Sequence, residues 1–202
     1  MIRHALSSAV SQVILFSLIP FIWWLITARK KENFLKWLGL KSPDFEEKKK
    51  FCLFFFISFL LMSISGLGIS TLFIGNDSIA TSQFSGLGLS GLFPVILFAF
   101  IQTGLSEEIL FRGFIGKRAG NSWGFKAGNA LQASLFGLLH GVLLAPSAGI
   151  GPAIIATVFS GTVGALMGYM NEKLAKGSIV PSWILHALAN VLSSGLMLFS
   201  VH

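Results

Sequence analysis

Long apolar stretches alternate with short polar ones along this chain, at a spacing that matches the thickness of a bilayer. Apolar runs cover residues 10–27, 51–73, 91–112, 127–146, 152–170 and 179–201. Each is close to the ~20 helical residues that cross a ~30 Å hydrocarbon core. In lipid every backbone polar group must be bonded within its own segment or within a closed barrel, so runs of this length predict helices. The expected fold is therefore all-α, a polytopic membrane bundle of about six transmembrane helices. Six spans leave almost no chain for a separate soluble domain. Residues 1–202 are expected to form a single integral membrane domain, with two helices and their loops in 1–90 and a four-helix core in 91–202.

The breaks between runs carry turn chemistry. Residues 75–90 are Gly- and Ser-rich without one basic residue, and residues 41–50 form a mixed-charge linker with a turn at Ser42-Pro43. Pro20 lies inside the first run and predicts a kink, whereas Pro94 and Pro152 lie near span starts, where a missing N–H does little harm. No small-x-small cleavage signal follows the first run, so it is expected to be retained as a span. Small residues four apart, Gly137 and Gly141 in one run and Ser160, Gly164 and Gly168 in the next, predict close helix packing.

Composition agrees with a membrane chain: 53% of residues are hydrophobic and 11% charged, with a mean hydropathy of +0.77. The net charge of +7 has a topological origin. Fourteen of the fifteen Lys and Arg fall in or beside the first, third and fifth connections (29–50, 112–126 and 173–176), and Arg3 alone falls on the other side. The positive-inside rule then puts these three connections in the cytosol and both termini outside. Because the basic residues flank spans instead of interleaving with aromatics, nucleic acid is not the expected partner. Anionic lipid headgroups at residues 29–50 are. The single cysteine, Cys52, has no partner for a disulfide or a CxxC metal site.

Ionisable residues inside the runs are the exception that needs a reason, since a mid-bilayer charge costs ~3 kcal/mol on insertion scales. Glu32, Asp44, Glu46, Glu47, Asp77 and Glu172 fall in polar connections; only Glu107 and Glu108 interrupt an apolar run. His4 and His202 are terminal, while His140 and His186 are within runs. Glu108 and Arg112 are four apart and share a helix face, which predicts a salt bridge. Glu107 is rotated ~100° from Glu108, so the same arginine is badly placed to neutralise both. Glu108 is the structural carboxylate of the two, and Glu107 the available one. The bland alternative is an interfacial charge cluster closing the third span.

Depth weighs against that alternative. At ~1.5 Å per residue, Glu107 lies ~15 Å from Lys117, His186 ~15 Å from Lys176 and His140 ~21 Å from Lys126. The three are expected to meet in an intramembrane cavity open to the cytosol. Asn190 lies one turn beyond His186, and Phe136 one turn before His140, placed either to wall the cavity or to hold the imidazole. A carboxylate able to take a proton from water, imidazoles that hold the water or return the proton, and an amide N–H for an oxyanion together suggest amide hydrolysis.

Three segments then match known motifs in order. "EEILFR" (Glu107 to Arg112), "FGLLH" (Phe136 to His140) and "HALAN" (His186 to Asn190) resemble the EExxxR, FxxxH and HxxxN motifs of the CPBP, or Abi, family of intramembrane proteases. That family includes the type II CAAX prenyl endopeptidases and bacterial bacteriocin-processing or immunity proteins. The resemblance spans residues 91 to 201. It implies that Glu107 is the general base for water with His140 helping to position it. It further implies that His186 and Asn190 bind the oxyanion and that Glu108 and Arg112 support them. The substrate so implied is a membrane-associated peptide or protein.

The same resemblance bears on metal and on location. A glutamate and two histidines fill three positions of a catalytic zinc site. The picture for the eukaryotic relatives is instead a metal-independent glutamate protease, and the chain lacks HExxH, so no metal or other cofactor is expected. An aspartyl mechanism lacks a pair of aspartates within the spans. A serine mechanism at Ser160-Gly161 has Val158 where a rhomboid GxSG needs glycine. The competing function is a non-catalytic membrane scaffold or bacteriocin-immunity protein. The short chain without long extensions is read as a bacterial member of the cytoplasmic membrane.

Overall fold

The computed structural model describes residues 2–72 and 81–200. Part of the Gly/Ser-rich connection (75–80, with Asp77), the last residues of the second and sixth runs (73 and 201) and His202 lie outside the described residues. Among the described residues the fold is helical, without strands. Seven helices are named here: α1 (Ile2–Thr27), α2 (Phe34–Leu38), α3 (Lys48–Leu72), α4 (Gly88–Trp123), α5 (Phe125–Ala148), α6 (Ile150–Leu174) and α7 (Val180–Met197).

By length and composition α1, α4, α5, α6 and α7 can each cross a membrane. The second predicted span corresponds to α3, which has 25 residues but is not one of those five. Large apolar side chains point outward along the bundle, as on α5, where Val142 and Leu143 are 67% and 69% exposed. A soluble core protein would hide such residues, but a lipid-facing surface has no reason to.

Three helices run past the ends that their apolar runs predicted. α1 starts at Ile2, so Arg3 and His4 are helical, and it continues through a buried Pro20. α6 extends through a π-helical turn, Met170–Leu174, so Glu172 and Lys173 are helical residues and not loop residues. α4 has 36 residues and does not stop at Arg112. Its π-helical stretches Leu97–Leu105 and Ile109–Gly116 bracket a short α-helical segment, Ser106–Glu108. The two glutamates therefore sit near the middle of a helix and not at its end.

Two kinds of packing hold the bundle. α5 and α6 meet through glycine: a Cβ at Gly137 would collide with Thr157 O and lie 2.9 Å from Gly161 N, and one at Gly141 would collide with the Thr157 hydroxyl. α3 instead lays Phe51, Phe55, Phe59 and Met62 on Val163, Met167, Met170 and Leu185 of α6 and α7.

The basic connections form a tied layer. Asn33 caps α2 by accepting from Lys36 N–H at 2.8 Å. α2 ends on Gly39 at φ 91°, where a side chain would strike Gly177 O and Lys117. Ile179 N–H donates to Gly39 O at 2.9 Å, and Ser178 Oγ donates to Lys41 O at 2.6 Å. Lys117 Nζ reaches Glu172 at 2.6 Å and Gly177 O at 2.7 Å. Lys176, held at φ 47°, pairs with Asp44 at 2.9 Å and Glu46 at 2.8 Å.

Candidate active site

Each polar side chain singled out from the sequence comes from α4, α5 or α7, and spacing within each helix explains its aim. Glu108 and Arg112 form the predicted pair, with Nη1 3.1 Å from Oε1 and both side chains essentially without exposure. The same carboxylate is used twice more. His186 Nδ1 is 3.3 Å from Oε1, and Ser182 Oγ donates to Oε2. Asn171 Nδ2 in turn donates to Ser182 Oγ at 2.6 Å. Arg112 also stacks its guanidinium 4.0 Å from the Phe136 ring centre, a favourable cation–π position.

Glu107 is placed differently. Its side chain is 12% exposed, its Oε2 is buried without a hydrogen bond, and His186 Nε2 lies 3.7 Å away. A buried carboxylate oxygen with no donor is costly unless something else uses it. The division between a committed Glu108 and a free Glu107 is thus present in the structure.

The two histidines are fixed by acceptors that cannot donate. His140 Nδ1 is 2.8 Å from Phe136 O, a carbonyl that can only accept, so Nδ1 donates and Nε2 is the nitrogen not engaged there. His186 Nδ1 faces a carboxylate oxygen, which leaves Nε2 as its edge toward Glu107. Phe136 joins them: its ring centre is 4.4 Å from that of His140 and 6.1 Å, edge-on, from that of His186. The Phe136 ring lines the cavity, whereas the His140 imidazole is held by the Phe136 backbone carbonyl, a contact that any residue at that position would supply.

A cavity of about 210 Å³ adjoins these groups, lined by Phe136, His140, His186 and Asn190 with Ser160, Val163 and Leu192 among its walls. It runs from His186 toward Leu144 and Ser193, the helix ends remote from the basic connections. On the basic side of the ion pair lies a narrow polar cleft of about 20 Å³ between Arg112, Asn129, Gln132, Asn171 and Glu172. Glu107 is not among the residues lining either space, and its Oε2 lies 3.7 Å from Nε2 of His186, which does line the larger one. Among the described residues, no three His, Cys, Asp or Glu side chains gather closely enough to hold a metal ion.

Two contributors escape a reading by motif. Ser182 lies one turn before His186, and Thr103 one turn before Glu107, where it accepts a hydrogen bond from Asn190 Nδ2 at 2.7 Å. Extending the four-residue register of each motif one turn toward the N-terminus would have found both.

Comparison with known proteins gives a match to one family model. Neither curated proteins nor solved structures give a match. Residues 89–192, however, match the type II CAAX prenyl endopeptidase Rce1-like family, and this stretch holds α4, α5, α6, most of α7 and every site residue named above. The chain belongs to the Rce1-like family of type II CAAX prenyl endopeptidases.

Proposed function

We propose that this protein is an intramembrane endopeptidase that hydrolyses a peptide bond in a membrane-associated peptide or protein, with Glu107 activating water. The observation that carries the reading is the buried, unbonded Glu107 Oε2 beside His186 Nε2, next to a Glu108 whose oxygens are all engaged. Glu107 takes a proton from water as the oxygen attacks the carbonyl carbon, while the His140 Nε2 lone pair accepts the other water hydrogen and orients it. The oxyanion is held by Asn190 Nδ2–H and by His186 Nε2–H when that nitrogen is protonated. The C–N bond then breaks, and the proton held by Glu107 passes to the leaving nitrogen. Glu108 and Arg112 keep His186 in register.

The reaction is read as metal-independent. That reading rests on spacing, since among the described residues no three His, Cys, Asp or Glu side chains stand close enough to share a metal ion. All six long helices, α3 included, are assigned as spans of a bacterial cytoplasmic membrane, with the basic connections in the cytosol and both termini outside. The basic residues of 29–50 meet anionic headgroups. The cleft between Arg112 and Glu172 is the approach from the cytosolic face, and the apolar cavity takes the membrane-embedded part of the substrate.

The test compares new peptide termini in membranes from cells expressing wild type or Glu107→Gln at matched levels. Termini seen only with wild type, and unchanged by a chelator, are expected. If no terminus differs and Glu107→Gln still gives the cellular phenotype, the protein is a scaffold or immunity factor; loss of the termini with chelator gives the site to a metal.

A further inference from the structure

Thr103 has a role that no motif assigns, and its single proton defines it. A threonine hydroxyl has one hydrogen to give and lone pairs to receive. Thr103 Oγ lies 3.0 Å from Phe98 O, five residues back, and a carbonyl oxygen can only accept. The proton is therefore spent on Phe98 O. Toward Asn190, 2.7 Å away, Thr103 can only accept. From the hydrogen-bond network we infer that Thr103 is a positioning residue that locks the Asn190 amide with its NH2, and not its C=O, toward the reacting carbonyl.

One amide hydrogen goes to Thr103, and the second remains for an oxyanion in the cavity that Asn190 lines. Without Thr103, the amide has no reason to prefer NH2 over C=O, and a flipped amide would set an oxygen against the developing negative charge. A turn away, His186 has its own lock on Glu108, so both groups assigned to the oxyanion are fixed from behind by α4.

The π-helical stretch makes this contact. In i→i+5 winding the side chain of Thr103 reaches the carbonyl of Phe98, and Phe100 O accepts from Trp183 Nε1 of α7 at 2.6 Å. Gly104 suits the π-helical winding, since a Cβ there would collide with Ala99 O of the same helix, and it faces the Trp183 ring at 3.4 Å. Thr103, Gly104 and Trp183 thus form one docking surface, with Asn190 two turns past Trp183.

The inference rests on the proposed protease activity, and its test keeps the two apart. A quenched-fluorescence peptide spanning the strongest Glu107-dependent cleavage site is the probe, with purified protein in detergent. Thr103→Val is expected to lower kcat roughly 10- to 100-fold with KM within about twofold of wild type. Thr103→Ser, which keeps the hydroxyl, is expected to restore kcat. In an Asn190→Ala background Thr103→Val should add nothing. Thr103→Ala, which removes the hydroxyl without filling space, carries the same comparison if valine is not tolerated. An unimpaired Thr103→Val or Thr103→Ala beside an impaired Asn190→Ala overturns the inference and leaves the protease reading intact. So does an additive loss in the double variant, or a serine variant as slow as valine. Absence of any Glu107-dependent terminus overturns both.

Discussion

The seam between α5 and α6 and the seam between α4 and α7 solve the same problem in opposite ways. Lipid removes most of the hydrophobic drive that joins helices in water, so association depends on close van der Waals contact or on polar bonds. α5 and α6 rely mainly on the first: Gly137 and Gly141 bring backbones together, and the polar bonds that join these helices further along, Asn129 Nδ2 to Ala165 O at 3.0 Å and Gln132 Nε2 to Gly164 O at 2.9 Å, use neutral amides. α4 and α7 use the second, through Glu108 with Ser182 and His186, Thr103 with Asn190, and Phe100 O with Trp183. Close packing fixes distance but offers no reactive group. A polar seam fixes orientation atom by atom, and any group it leaves unbonded is available for chemistry. Glu107 Oε2 is one such unbonded atom among the described residues.

The contrast is sharpest between two adjacent glutamates. Glu107→Gln should lower cleavage about 10²- to 10⁴-fold, the range for losing a general base, without lowering the thermal midpoint in detergent. Glu108→Gln should do the reverse in order of cause. It leaves Arg112 a buried cation without its carboxylate, a loss of about 3–5 kcal/mol when one partner of a buried pair is removed. Thermal or denaturant unfolding in detergent measures this, and activity should fall only as folded protein is lost and His186 loosens. Equal unfolding midpoints for the two variants would erase the distinction.

Much of this was legible in the sequence because apolar run length and four-residue spacing are strong signals. The runs located the long helices, and the spacing of Glu108 with Arg112 gave the ion pair directly. Helix ends were less legible. Glu172 and Lys173 look like loop residues, yet α6 continues through them, since Glu172 meets Lys117 and the long lysine stems can reach the polar layer from a helix. The π-helical stretches of α4 left no trace in composition. The first of them includes Phe100, whose carbonyl accepts from Trp183 Nε1 of α7, a tertiary contact that no local window contains. Thr103 and Ser182 were concealed for another reason: single hydroxyls in apolar runs are common, and only the partner across the seam gives them meaning.

The neutral seam should yield less to substitution than the charged one. Gly137→Ala places a methyl against Thr157 O and the Gly161 backbone, neither of which is the end of a flexible side chain. Overpacking of this kind costs about 1–3 kcal/mol, below the loss expected for Glu108→Gln. Its effect on cleavage should follow from displacement of His140, one turn along α5. An unfolding midpoint lower than that of Glu108→Gln would mean that glycine packing, and not the polar seam, carries the larger share of the bundle's stability.

Outside both seams, the Lys176 clamp gives the smallest effect and the cleanest sign. Glu46 and then Asp44 raise the Lys176 ammonium above its ordinary value of 10.5. A cation whose folded pKa is raised contributes stability that is complete below the unfolded pKa and is lost as pH rises through the folded one. The Lys176 ammonium is thus fully charged at neutral pH, and on the alkaline side the clamp should weaken in strong alkali, where that proton is lost. Its side chains are exposed, with Lys176 at 51%, so salt should screen it. Lys176→Asn separates charge from backbone, because asparagine tolerates the left-handed conformation at φ 47° that this position requires. A slight fall in the thermal midpoint at low salt, absent at high salt, is expected, with cleavage unchanged. A large fall, or one indifferent to salt, would show that the layer linking residues 44–46 to the α6–α7 connection is part of the framework that α4 and α7 share.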